Sequence, residues 1–174
     1  MFPLLISTPP PRINTFRVEQ VSWDNLAGRK LRDQQVAEIS ARFGTPPENA
    51  PGIPPSVDNI TLFLLAFPEN SDDPVACGAI RHLEDGFMEI KRMYATPKSR
   101  GTGAALCVLL ALEKYARSLG VKGLKLETAT LQPDAIRFYQ KHGYEEIPQF
   151  GYYIGIPWSR CFLKTLSSDA ISRV

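Results

Sequence analysis

The amino-acid sequence predicts an α/β domain in which one mixed β-sheet carries helices on both faces. Short apolar runs of strand length alternate with longer segments of helical period. Glycines or proline-rich stretches close most of these segments, so their ends are marked. Near the centre, a strand leads through a turn and the glycine-rich stretch Gly101-Thr-Gly103 into a helix. With 174 residues, 44% hydrophobic and 22% charged, the chain can bury one sizeable core but not two ordinary ones. A single domain spanning 1–174 is expected.

Arg12 to Ser22 alternates through Ile13, Thr15, Phe16, Val18 and Val21, which reads as a first strand. Asp24 is placed to cap a helix from about Asn25 to Phe43, with Leu26, Leu31, Val36, Ile39 and Phe43 on its apolar face. Gly44 ends it. Residues 45–58 hold five prolines and a glycine and form an irregular loop. Ile60 to Phe67 is nearly all apolar, as in a strand covered on both faces. Val75 to Arg81 is the next strand, and Asp85-Gly86 turns the chain into Phe87 to Tyr94. A helix from Arg100 or Gly101 to Leu119 is apolar almost all round in its first half and should lie buried on the sheet, with Gly120 as its stop. Leu124 to Thr128 is a short strand, and Gln132 to His142 a helix stopped by Gly143. Tyr144 to Ile147 and Ser159 to Leu166 supply the last two strands.

Composition excludes several classes. A net charge of +2, with no basic run longer than a pair such as Lys91-Arg92, sets nucleic acid aside. No run approaches the roughly 20 apolar residues that span a bilayer. The opening Met1-Phe-Pro-Leu-Leu-Ile is too short and lacks the basic start of a signal peptide. A cytoplasmic protein with a loose or surface-docked arm at 1–11 is expected. Cys77, Cys107 and Cys161 lie in apolar stretches without metal-ligand spacing, so buried thiols and no metal are expected.

Glu89 to Leu106 reads as a strand, a turn and a glycine-rich entry into a helix. Such an entry aims free backbone N–H groups and the positive end of the helix dipole at one spot, a site for phosphate or pyrophosphate. A P-loop would need Lys-Ser or Lys-Thr after its last glycine, but Gly103 is followed by Ala104 and Ala105. A dinucleotide fingerprint would place its third glycine on Leu106. The remaining pattern, Arg/Gln-x-x-Gly-x-Gly/Ala, is met by Arg100, Gly103 and Ala105.

That segment resembles motif A of the GCN5-related N-acetyltransferase (GNAT) superfamily, which holds the pyrophosphate of acetyl-CoA. Gln132-Pro-Asp-Ala135-Ile-Arg-Phe-Tyr139-Gln-Lys-His-Gly143-Tyr144 is similar to the family's Asn-x-x-Ala-x-x-Leu-Tyr-x-Lys-x-Gly-Phe segment. The resemblance covers roughly Val75 to Leu166. It implies the GNAT fold: a mixed sheet of six to seven strands, about four flanking helices, and a splay between strands four and five. It also implies an acetyl-CoA-dependent N-acetyltransferase acting by direct transfer in a ternary complex. The acceptor expected is a primary amine on a small molecule. A peptide or protein amine, or a non-catalytic acyl-CoA-binding module, are the alternatives, and a homodimer is left open.

Residue roles follow from the same resemblance. The backbone of Arg100, Gly101, Thr102, Gly103, Ala104 and Ala105 would cradle the pyrophosphate, with the Arg100 side chain nearby. The backbone of Met93, Tyr94 and Ala95 would pair with the pantetheine arm, Met93 N–H serving as oxyanion donor. Glu89 would be the general base, or else a solvated glutamate paired with Lys91 or Arg92. Tyr139 would protonate the leaving thiolate, Gln132 would bond the pantetheine, and Phe138 would pack near the coenzyme. Glu127, at the end of the strand bordering the splay, could contact the acceptor amine. Tyr152, Tyr153 and Trp158 stand where relatives close the acceptor pocket, while His82 and His142 are expected at surface or satisfied positions.

Overall fold

The computed structural model describes residues 15–44 and 50–166. The arm expected at 1–11, the first residues of the strand expected from Arg12, and part of the proline-rich loop lie outside them. Seven strands form one sheet in the order β1-β2-β3-β4-β5-β7-β6. They are β1 (Phe16–Gln20), β2 (Leu62–Pro68), β3 (Ala76–His82), β4 (Met88–Ala95), β5 (Gly123–Ala129), β6 (Glu145–Ile147) and β7 (Ser159–Thr165). The first four pair antiparallel in succession. β4 and β5 are parallel, and β7 lies antiparallel between β5 and β6.

Helices α1 (Leu26–Phe43), α2 (Ala104–Ser118) and α3 (Pro133–Lys141) cover the sheet. α2 buries Val108, Leu109 and Leu112 against Ile80, Met88, Ile90, Leu124 and Phe162, and Ile136 and Tyr139 of α3 join that cluster. Each leucine buried this way stabilises the fold by about 1.5–3 kcal/mol. On the opposite face, Leu31 of α1 packs with Phe63, Leu65, Phe67, Cys77 and Ala79. β2 therefore feeds both clusters, which is why its sequence is apolar without alternation.

Several boundaries differ from the sequence reading. Asn25, not Asp24, caps α1: its side chain accepts a hydrogen bond from the Gly28 N–H at 3.0 Å. α2 begins at Ala104 rather than at Arg100 or Gly101. Pro97–Ser99 forms a 3₁₀ turn, and Gly101 and Gly103 take φ of 75° and 95°, which a right-handed helix does not admit. Three α-helices and two short 3₁₀ turns stand among the described residues where about four helices were expected. Cys77 and Cys161 are buried free thiols, but Cys107 is only half-buried, because α2 presents it away from the densest packing.

Candidate active site

The expected splay is present. β4 and β5 pair only at Met88↔Leu124 and Glu89↔Lys125, and beyond that point they part. A bulge on β4 accompanies it. Cys77 pairs with Tyr94 and Ala79 with Lys91, so Gly78 alone opposes Arg92 and Met93. Arg92 takes φ of 57°, the one non-glycine residue with positive φ among the described residues. Gly78 is required here, since a Cβ on it would stand 2.3 Å from Met93 Sδ and 2.8 Å from Val108 Cγ1.

Two cavities, of about 700 and 540 Å³, meet at the parted strands. Gln35, Ile39, Met93, Gln132, Ala135 and Tyr139 line both. The smaller runs along Met93, Tyr94 and Ala95 to the glycine turn, with Phe138 in its wall. The larger is closed by the Ala50–Pro55 segment, the second half of α1 and Trp158, and it receives Lys91, Arg92 and Glu127.

At the glycine turn, the amides of Gly101, Gly103, Ala104 and Ala105 have no acceptor among the described residues. Gly103 is the residue before α2 and has no side-chain cap. A Cβ added at Gly101 or Gly103 would meet nothing within 4 Å, so the turn is open above the amides. This cradle fits an anion such as a pyrophosphate. Two expected members differ in detail. The amides of Arg100 and Thr102 already bond to Pro97 O and Ser99 O, at 3.4 and 3.3 Å. The Arg100 guanidinium faces α1, paired with both carboxylate oxygens of Glu38 at 2.9 and 2.7 Å.

Thr96 donates to Val75 O on the β3 side, so strand alternation turns the backbone groups of Ala95, and of Met93 across the bulge, toward the splay. Their carbonyls accept there from Arg100 Nε at 3.2 Å and Gln35 Nε2 at 2.7 Å. The backbone of Tyr94 faces β3, where it pairs with Cys77. Gln35 Oε1 is buried without a partner. Because Nε2 must donate to the Met93 carbonyl, the orientation of that amide is fixed.

Glu89 is buried, 1% exposed, and lines neither cavity. Arg81 Nε donates to its Oε2 at 2.7 Å, Tyr153 Oη donates to its Oε1 at 2.5 Å, and Lys91 Nζ stands 3.6 Å away. Lys91 also donates to Tyr153 Oη at 2.8 Å. The solvated alternative for Glu89 is thus excluded, and its closest cation is Arg81 rather than Lys91 or Arg92. Arg81 sits directly across the hairpin from Glu89, because the connecting loop is the three residues Glu84, Asp85 and Gly86; a two-residue Asp85-Gly86 turn would have set Arg81 opposite Ile90. Burial pushes the Lys91 ammonium pKa down and the Tyr153 phenol up.

Glu127 is half-buried in the larger cavity and accepts from Ser159 Oγ at 2.6 Å. Burial raises its carboxyl above the usual range, against the opposing effects of Ser159 and Lys91. Tyr139, 6% exposed, is raised by burial as well. Phe138 packs edge-on against Tyr139 and His142. Trp158 lines the larger cavity, Tyr153 is buried beneath it, and Tyr152 is 66% exposed. His82 is exposed and His142 half-buried. Among the described residues no group of three His, Cys, Asp or Glu side chains could hold a metal ion. No helix among them is long and apolar enough to cross a membrane.

The model of the acetyltransferase (GNAT) family matches residues 34–144. An IAA acetyltransferase of Azospirillum brasilense is 37% identical over 105 residues, 60% of this chain and 67% of the relative. An acetyltransferase of Agrobacterium fabrum is 30% identical over 128 residues, 74% of this chain and 82% of the relative. A solved structure described as an acyl-CoA N-acyltransferase from Klebsiella pneumoniae superposes with a TM-score of 0.72 at 27% identity, covering 87% of this chain and 98% of that one. With the parted strands and the open cradle, these matches place the chain in the GNAT family: it is an N-acetyltransferase.

Proposed function

We propose that this acetyltransferase moves an acetyl group from acetyl-CoA directly to the primary amine of a small molecule, with both substrates bound together. The observation that carries this reading is the pair of cavities meeting between β4 and β5. One runs to an amide cradle suited to a pyrophosphate, and the other is a separate, partly apolar chamber of small-molecule size. The name of the Azospirillum relative, IAA acetyltransferase, supports a small-molecule acceptor, and the acyl-CoA named for the Klebsiella structure supports the donor.

Acetyl-CoA would supply a thioester carbonyl and a thiolate leaving group. Gly101, Gly103, Ala104 and Ala105 would hold its pyrophosphate, the backbone of Ala95 and the Gln132 side chain its pantetheine arm, and Phe138 would pack beside it. The Met93 N–H, turned to the splay, would donate to the carbonyl oxygen as negative charge grows there. A free alkylamine is mostly protonated at neutral pH, so the site must take a proton before nitrogen can form its bond to carbon. Glu127 is the carboxylate that reaches the chamber, and its raised pKa suits a base working near neutrality. Glu89, enclosed by Arg81 and Tyr153, would fix Lys91 and Tyr153 rather than meet the amine. As the C–N bond forms and the C–S bond breaks, Tyr139 would pass its phenolic proton to the departing sulfur.

Incubation of the pure protein with acetyl-CoA and a panel of small amines, amino acids and N-terminal peptides tests this through release of free thiol. Release with small amines or amino acids above the no-acceptor background is the expected result. Release with peptides alone, or none despite acetyl-CoA binding, overturns it.

A further inference from the structure

The larger cavity is lined by three charged residues, Lys91, Arg92 and Glu127, which leaves it with one excess positive charge. Lys91 is answered by Glu89 at 3.6 Å and by the field of Glu127. Arg92 feels the field of Asp33 on α1 but makes no contact with it. Among the described residues no carboxylate comes within 4 Å of its guanidinium. The nearby Cys77 thiol is pushed by burial up to about 12 and so stays neutral. A half-buried guanidinium without a contacting carboxylate is costly, and it marks a place where a ligand's charge belongs.

Its position says which ligand. Arg92 lines the larger cavity and not the one that runs to the phosphate cradle, so the phosphates are not its partner. The bulge turns Lys91 and Arg92 to the same face of β4, and the next residue is Met93, at the meeting of the cavities. The facing wall is apolar: Ile39, Phe43, Ile53, Pro54 and Trp158. Trp158 and Ile53 keep 47% and 49% of their surface exposed, a face that a second apolar group would cover.

Resting on the acetyltransferase reading above, we propose that the acceptor is an amino acid with an apolar or aromatic side chain. Its carboxylate pairs with the Arg92 guanidinium, its side chain lies on the Trp158–Ile53 wall, and its amine is thereby set at the splay. A planar fork matched to a carboxylate fixes both position and orientation, which a point charge would not.

The test compares L-phenylalanine and L-leucine with phenethylamine and 3-methylbutylamine, the same amines without the carboxylate, and with L-phenylalaninamide, using thiol release. The native protein is expected to favour each amino acid over its decarboxylated partner by about 100-fold in kcat/KM, because a buried polar site rejects a ligand that leaves it unpaired. In Arg92→Asn that ratio falls to within about fivefold; asparagine is chosen because it tolerates the left-handed backbone. Arg92→Lys restores part of the preference. Acetyl-CoA affinity by calorimetry reports whether each variant is folded, and if Arg92→Asn fails that control the native ratio and Arg92→Lys decide. Equal use of amines with and without a carboxylate by the native protein overturns the amino-acid assignment and leaves the acetyltransferase reading standing. A ratio unmoved in folded Arg92→Asn does the same. Transfer to none of these amines while another small amine is acetylated overturns the amino-acid assignment alone; transfer to no small amine at all, with acetyl-CoA bound, overturns both.

Discussion

Replacing Arg81 by methionine isolates the ion pair beneath the larger cavity. Arg81 is 9% exposed and Glu89 1%, and they meet at 2.7 Å. Methionine fills most of the space but strands a carboxylate. Breaking a buried pair from one side costs about 3–5 kcal/mol. Tyr153 Oη at 2.5 Å and Lys91 at 3.6 Å remain, which holds the loss near the lower figure. Arg81 Nη1 also donates to the Ile53 carbonyl at 2.8 Å, and losing that bond at a part-exposed loop adds about 1 kcal/mol or less. The sum, about 3–4 kcal/mol, is a large share of the 5–15 kcal/mol typical of a folded domain. For a chain of this size it lowers Tm by about 6–16 °C. Urea unfolding followed by tryptophan fluorescence measures it. The double variant Arg81→Met with Glu89→Gln should recover part of the loss, since no carboxylate is then stranded, while Lys91 keeps Tyr153 Oη and the field of Glu127. A single-variant loss below about 1 kcal/mol, or a double variant no more stable than the sum of the singles, refutes the reasoning.

Gly103→Asp puts a carboxylate over the open cradle and a side chain at φ 95°, and should weaken acetyl-CoA binding at least about 100-fold by calorimetry. Tyr139→Phe should lower kcat about tenfold or more while the dissociation constant for acetyl-CoA stays within about threefold. Glu127→Gln should lower kcat by about 10²-fold and remove the acid limb of the pH–rate profile. The same variant carries a stability signature. A carboxyl whose folded pKa is raised contributes stability that is full below its unfolded pKa and lost as pH rises through the folded one. Glu127→Gln should therefore be more stable than the native protein at pH 7, with the gap closing toward pH 4 in thermal melts.

Much of the fold was legible because its signals are local. Gly44, Gly120 and Gly143 sit at the helix ends as read, and the doubly covered β2 showed as an unbroken apolar run. The cradle and α3 were legible through two motifs, each short and contiguous. What sequence left hidden joins residues far apart. Tyr153 reaches Glu89 across 64 positions and Gln35 reaches Met93 across 58, and nothing in either segment announces its partner. Glu38, which occupies Arg100, lies 62 positions from it in the chain. The bulge at Arg92 was invisible for another reason. A left-handed arginine is disfavoured locally and persists because β3, α1 and α2 hold the strand around it.

That arginine gives this enzyme a particular evolutionary exposure. A non-glycine residue at positive φ holds about 1–3 kcal/mol of backbone strain. Glycine or asparagine at position 92 relieves that strain and also removes an unpaired, half-buried cation. The change that erases the carboxylate anchor is therefore a stabilising one. Selection of variants for heat resistance alone will discard Arg92 early and yield sturdier acetyltransferases with less discriminating acceptor sites. Keeping the arginine while stabilising the fold requires that acceptor preference be scored in every round.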